Sequence, residues 1–204
     1  MLKADLYLNQ IDLCRYWPAN ATCTCEDFLS RVKAGDISTE DYPFLSSRHI
    51  QAFKIVAEAE RYLPETLVVS LPQPTEAGLF PVNEPGENDM VIVTGNCSLT
   101  FEVLAAVWAQ GITPAYFLLV DCLGNTVDMA MIYAEFTPQK LHQAIENTGL
   151  SQKVAHRHLI VPGLTSPLLD DFIEATGWET ETGPISAAEL PLFLGDRWMF
   201  PVLP

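Results

Sequence analysis

Residues 90–101, MVIVTGNCSLTF, decide the fold. Met90 to Thr94 is a short apolar run of the kind a buried strand needs, and Gly95-Asn96 supplies a tight turn behind it. Leu99, Val103, Leu104 and Val107 then recur at helical spacing. Asn96 or Ser98 is placed to cap that helix, because a short polar side chain there accepts from the free first N–H groups. In an open α/β sheet the loop leaving a strand's carboxyl end is where ligands bind. The stretch is therefore either the first wall of a site or only the first layer of a core.

Downstream, the same alternation continues. A strand over 115–121 leads through Gly124-Asn125 to a second extended stretch over 126–133, and the two could pair as a hairpin. Thr137-Pro138 sets a cap and a first-turn proline for a helix ending at Gly149. His158 to Val161 reads as a strand, Ser166-Pro167 repeats the cap-and-proline device for a helix ending at Gly177, and Trp178 to Thr182 reads as a last strand. Ser186-Ala187-Ala188-Glu189 has the form of a capping box before a short helix broken at Pro191. The pattern predicts an α/β domain over 90–204. We expect a Rossmann-like, mostly parallel sheet with helices on both faces.

Upstream, Pro64, Pro72, Pro74, Pro81 and Pro85 with Gly78 and Gly86 break any long element, so 64–89 reads as a Pro-rich linker, with a possible strand at Thr66 to Leu71. Residues 1–63 read as a small all-helical domain. Its helices are expected over 3–17, from Thr24 to Gly35, and from Ser46 or Ser47 to Tyr62.

Composition narrows the function. The 204 residues are 49% hydrophobic and 18% charged, as in globular domains. No apolar run approaches the roughly 18 residues a membrane span needs. MLKADLYLNQ lacks an apolar signal core, so a cytoplasmic location is expected. The net charge is −15, and residues 63–204 hold 4 basic against 17 acidic groups, too few cations to neutralise a phosphate backbone. Nucleic acid is excluded; solubility or a basic partner protein accounts for the acidity. The sequence has no Gly-x-Gly-x-x-Gly, Walker or Gly-x-Ser-x-Gly motif, which removes ordinary nucleotide binding and serine hydrolysis. His156-Arg157-His158 alternates across a strand with no flanking carboxylate or thiol, and we read it as structural.

Of the five cysteines, Cys14, Cys23 and Cys25 fall within twelve positions. Without a signal peptide they read as free thiols or metal ligands rather than as a disulfide. Their spacing fits no zinc pattern; a partial iron–sulfur ligand set and a plain structural role both stay open.

At this point the sequence resembles a family. VIVTGNCSLTF, LLVDCLGNTVDMAM followed by FTPQKLHQAI, VAHRHLIVPGL and ATGWETETGPISAAELPLFL recur in order in the C-terminal corrinoid-binding domain of the corrinoid iron–sulfur protein large subunit. This is the corrinoid subunit of CO dehydrogenase–acetyl-CoA synthase systems, and the mercury-methylating corrinoid protein has a related domain. Asn20 to Cys25, Phe28, Gly35 and Asp41 to Leu45 likewise resemble that family's iron–sulfur module, with Tyr42 where its last cysteine would stand. The TIM-barrel domain that separates the two modules is absent here.

The resemblance implies a cobamide at the carboxyl ends of the strands and methyl transfer in one-carbon metabolism. The partner would be a TIM-barrel methyltransferase or another corrinoid-protein subunit. The ring would be lined by Thr94, Gly95, Asn96, Ser98, Leu99 and Thr100, by a cap at Thr126, Val127, Met129 and Ala130, and by Pro162, Gly163, Leu164, Gly183 and Pro184. It also implies cluster ligation at Cys14, Cys23 and Cys25, and it places Met129 near the cobalt. No acid–base pair stands out as catalytic. Two alternatives belong to other classes: an accessory protein that keeps the fold without cobalt chemistry, and an iron–sulfur electron-transfer module.

Overall fold

A computed structural model describes residues 2–5, 7–66 and 72–201. It divides into two compact units. One comprises residues 1–65, 103–112 and 186–204; the other comprises 66–102 and 113–185. The expected 64–89 linker is thus corrected. The boundary falls at Glu65, and residues further on build a strand of the sheet. The expected 90–204 domain is corrected too, since 103–112 and 186–204 group with the N-terminal residues. Residues 67–71, where most of the suggested upstream strand would lie, are outside the described residues; Glu65–Thr66 (β2) pairs with Leu2–Lys3 (β1).

The second unit is a mixed α/β sheet of five strands, compatible with a Rossmann-like fold. Its strands are β3 (Gly78–Val82), β4 (Met90–Gly95), β5 (Ala115–Val120), β6 (His158–Val161) and β7 (Glu179–Thr182), in the order β3-β5-β4-β6-β7. All neighbours are parallel except β3, which runs antiparallel to β5 with Gly78 opposite Leu119 and Val82 opposite Ala115. Pro81 sits comfortably there, because an edge strand has one row of N–H groups without a ladder to serve.

The antiparallel member is therefore β3, and the hairpin expected from 126–133 does not form. That stretch is a helix, α5 (Val127–Ile132) in the numbering below. The apolar alternation at 127, 129, 131 and 133 reads as a strand. The burial follows 127, 130 and 131 instead, which is helical spacing.

The helices are α1 (Cys25–Ala34), α2 (Ser47–Ala57), α3 (Ala59–Tyr62), α4 (Ser98–Trp108), α5, α6 (Pro138–Thr148), α7 (Leu150–Lys153), α8 (Leu169–Thr176) and α9 (Leu190–Leu194). Val91, Val93, Leu118, Val120, Leu159 and Val161 line one face of the sheet and pack with Leu141 and Ile145 of α6 and Phe172 of α8. On the opposite face Phe101, in the first turn of α4, meets Phe80 of β3 with ring centroids 5.5 Å apart. Thr137 caps α6 as expected, its hydroxyl accepting from the Lys140 N–H at 3.3 Å. His156 is structural, its Nε2 lying 2.8 Å from the Asp89 carbonyl.

In the first unit, Phe28, Tyr42, Ile50, Phe53 and Leu192 form the centre of the core, with Trp17 packed against it. The expected 3–17 helix is replaced by 3-10 turns at Leu8–Gln10 and Leu13–Tyr16. Asp5 and Asp12 each accept from the N–H two residues on, at 3.0 Å, and such local bonds compete with a helix. The capping-box serine is used differently as well: Ser186 Oγ donates to Asp5 Oδ2 at 2.6 Å. Glu189, itself buried, accepts from the Tyr16 hydroxyl and from Arg15, each at 2.8 Å. Burial and that carboxylate push the Tyr16 phenol up to about 12. Among the described residues no helix is long and apolar enough to cross a membrane.

Candidate functional site

The connection after β4 leaves toward one face of the sheet, while the helices that follow β5 and β6 cover the other. In open α/β sheets such divergence marks the edge, at the carboxyl end of the strands, where ligands bind. Four loops meet there: 95–98 after β4, 121–126 after β5, 162–168 after β6 and 183–185 after β7. α5 lies over this edge, packed against β4 and the 163–168 turn.

Asn96 knots the first two loops together. It is 4% exposed, and its Oδ1 accepts from the backbone N–H of Cys122 at 2.8 Å and of Gly124 at 3.2 Å. Its Nδ2 donates to the Thr75 carbonyl at 3.0 Å and to Asp121 Oδ1 at 3.3 Å. Both lone pairs and both amide protons are thus used within the protein. A segment that sequence reading assigned to the linker completes the knot. Gln73 N donates to Gly124 O at 2.9 Å, Ser98 N to Gln73 O at 2.8 Å and Thr75 N to Asn96 O at 2.8 Å. The first free N–H of α4 therefore already has an acceptor, and it is not an open anion site. Gly124 makes this approach feasible: its φ is +78°, and a Cβ there would lie 2.2 Å from Pro74 N.

This revises the roles expected on the first loop. Thr94, Gly95, Asn96 and Leu99 are buried, and only Ser98 and Thr100 stay half-buried. Within the cap, Val127 and Ala130 belong to the core, whereas Thr126 and Met129 are half-buried and outside it. The Thr126 hydroxyl is buried and has no hydrogen-bond partner, although it stands at the start of α5. Pro162, Gly163, Leu164, Gly183 and Pro184 are half-buried, and their two loops touch. Gly163 N donates to Pro184 O at 3.0 Å, and Gly183 N to Val161 O at 2.8 Å. A Cβ on Gly163 would meet Gly183 O at 2.8 Å, so the glycine is required for the two loops to touch.

This edge has an apolar rim and no cation, and its charged side chains are the carboxylates of Asp121 and Asp128. The loops and α5 contain no lysine, arginine or histidine, and α6's Lys140 is paired with Glu135. Leu123, Ile132, Tyr133 and Ile185 are exposed here, Ile132 at 72% and Tyr133 at 57%. Cys122 is fully buried, and desolvation pushes its thiol up to about 12, so it stays protonated. The edge thus offers no cation to hold a polyphosphate.

The expected metal ligands are corrected. Cys14 and Cys25 are joined by a disulfide and Cys23 is a free thiol. A bonded pair has no thiolates to give. Among the described residues no group of three His, Cys, Asp or Glu side chains could hold a metal ion. Tyr42, standing where the resemblance would place a cysteine, is a core residue whose ring meets Phe28 edge-on at 4.9 Å.

The fold is an α/β domain of the doubly wound type, accompanied by a small helical unit. The chain belongs to the family described as CO dehydrogenase/acetyl-CoA synthase delta subunit, matched over residues 69–194. It is 35% identical to the acetyl-CoA decarbonylase/synthase complex subunit gamma of Methanopyrus kandleri, over 60% of this chain and 27% of that one. It is 32% identical to the subunit of the same name from Methanocaldococcus jannaschii, over 62% of this chain and 26% of that one. It is 30% identical to the corrinoid/iron-sulfur protein large subunit of Moorella thermoacetica, over 60% of this chain and 28% of that one. The matched region spans about a quarter of each of these relatives.

Proposed function

We propose that the chain holds a corrinoid at the carboxyl edge of its sheet and works as a methyl carrier or accessory in one-carbon metabolism, with a protein subunit as its partner. The observation that carries this reading is the buried, unpartnered Thr126 hydroxyl at the carboxyl edge of the strands, beside exposed apolar residues and loops without a basic group. The name of the Moorella relative, a corrinoid/iron-sulfur protein, supports the choice of ring.

When bound, a corrinoid supplies a cobalt that takes up and releases a methyl group. The chain's own residues bind and orient. The unpartnered Thr126 hydroxyl and the compact backbone of 162–164 and 183–184 would meet the amide rim. Leu123, Ile132, Tyr133 and Ile185 would cover apolar ring surface and keep water off it. Donor and acceptor of the methyl group would be brought by partners such as a methyltransferase.

The accessory reading draws on the N-terminal unit, where a disulfide and a core tyrosine occupy cluster positions. Anaerobic titration with cob(II)inamide and cob(II)alamin, followed by visible absorption and calorimetry, separates the two. Binding at micromolar or tighter dissociation constants is expected; no binding of either would remove the corrinoid reading and leave the accessory one.

A further inference from the structure

We propose that the Cys14–Cys25 disulfide is a redox-active site, opened by a dithiol reductant that attacks the Cys14 sulfur and expels Cys25 as a thiolate. Only the first unit is involved, and no ligand at the sheet edge is required.

The two sulfurs are not equivalent. Cys14 lies in the half-buried 3-10 turn Leu13–Tyr16, whereas Cys25 is 5% exposed and starts α1. An incoming thiolate reaches position 14 more easily, and access helps to select the sulfur attacked. The leaving group points the same way. Cys25 is the first residue of a ten-residue helix behind the Thr24 cap, where the helix dipole stabilises a thiolate. Glu26 and Asp27 oppose this, but both are exposed, where the high dielectric of water weakens them.

A structural bridge and a redox bridge differ in what the fold loses when the bond opens. Here the turn that carries Cys14 has other attachments. Tyr16 donates to Glu189 Oε1 at 2.8 Å, Arg15 pairs with the same carboxylate at 2.8 Å, and Asp12 Oδ1 accepts from the Cys14 N–H at 3.0 Å. Trp17 rests on Phe28, Phe44 and Phe53, with ring centroids 4.8, 5.7 and 5.9 Å away. Its Nε1 donates to the Cys23 carbonyl at 3.1 Å. These contacts do not need the covalent bond, so reduction opens the clasp and leaves the unit folded. The clasped loop also carries a thiol of its own, since Cys23 is free and half-buried two residues before Cys25.

The exchange moves two electrons. One thiolate of the reductant bonds to Cys14 Sγ as the Cys14–Cys25 bond breaks, and the electron pair leaves on Cys25 Sγ, which takes a proton from water. The reductant's second thiol then displaces Cys14 as a thiolate, which is protonated in turn, and the reductant ends as a disulfide.

The test uses the full chain purified without reductant. Cys23→Ser removes the competing thiol. This variant is exposed briefly to glutathione, a monothiol that stops at the mixed disulfide, then acid-quenched, treated with N-ethylmaleimide and mapped by peptide mass spectrometry. Glutathione on Cys14 with maleimide on Cys25 should exceed the opposite arrangement by about tenfold. In the wild type, dithiothreitol should reduce the bond without denaturant, and the reduced chain should keep its far-ultraviolet circular dichroism. Glutathione mainly on Cys25, reduction only in denaturant, or loss of the dichroism on reduction would overturn the proposal. So would five free thiols in the denatured chain before any reductant is added.

Discussion

Replacing Asn96 by Asp tests whether this side chain ties the loops at the strand ends together. The change keeps size and shape and keeps the acceptor that serves Cys122 N and Gly124 N. It turns the two amide donations, to Thr75 O at 3.0 Å and Asp121 Oδ1 at 3.3 Å, into oxygen–oxygen contacts. Each lost donation at a buried site costs about 1–3 kcal/mol, and an unpaired buried carboxylate adds to that. We expect the knot to weaken by about 3 kcal/mol at neutral pH, which raises the population of locally open molecules about a hundredfold.

Cys122 reports this directly, because its own N–H is one of Asn96's partners and its thiol is fully buried. Native-state labelling by a thiol reagent, followed by peptide mass spectrometry, should show Cys122 reacting about a hundredfold faster in the variant. The pH dependence gives a second check. A carboxyl at position 96, buried beside Asp121, would have its folded pKa raised above the unfolded value of about 3.9. Its destabilisation is then small below that pH, grows as pH rises through the folded value, and is constant beyond it. Asn96→Ala leaves the Cys122 and Gly124 N–H groups unpaired and should show no such slope. A Cys122 rate within threefold of wild type in Asn96→Asp would refute the knot.

Other perturbations address its surroundings. Gly124→Ala places a Cβ 2.2 Å from Pro74 N at a φ of +78° and should destabilise the second unit by more than about 2 kcal/mol in urea unfolding. Ala134, at φ +55°, closes α5 in a left-handed conformation while Glu135 N donates to Ala130 O at 2.7 Å. Ala134→Gly should therefore stabilise by about 0.5 kcal/mol, read as a rise in midpoint. Without reductant, Ellman's reagent should titrate one thiol, Cys23, in the native chain and three in denaturant. Because burial raises the Cys122 thiol from 9.0 to about 12, the folded state keeps a proton that the unfolded state has lost across that window. Stability should accordingly fall as pH rises above 9, and Cys122→Ala should flatten that fall.

The parallel strands and their order along the chain were legible at 90–94, 115–120 and 158–161 because each is a short apolar run closed by a turn residue. Two elements were not, for separate reasons. At 126–133 apolar residues satisfy both a two-residue and a helical period, and only packing against the sheet selects 127, 130 and 131. At 72–82 the prolines mark breaks correctly, but an edge strand tolerates proline, so β3 and the Gln73–Thr75 contacts hide behind a linker-like composition. The chemistry at Asn96 was equally hidden. Its position at the strand end is visible in sequence, whereas its four hydrogen-bond partners come from segments 21 to 28 residues away.

That last point bears on how such an edge can serve a ligand at all. A loop residue facing a ligand must keep hydrogen-bonding capacity unspent, and Asn96 has none left. What the knot provides is a fixed platform: with 73–75, 95–98 and 121–124 tied together, the backbone that carries Thr126 and α5 has a rigid origin. The groups left unspent, the Thr126 hydroxyl and the outer face of α5, lie beyond that platform. The edge then separates into a fixed base and a short helix held between left-handed residues at Leu123, Gly124 and Ala134. Ligand chemistry, where it occurs, belongs to the second part. Substitutions in the first should alter affinity only through stability, while substitutions at Thr126 or Met129 should alter it with stability unchanged.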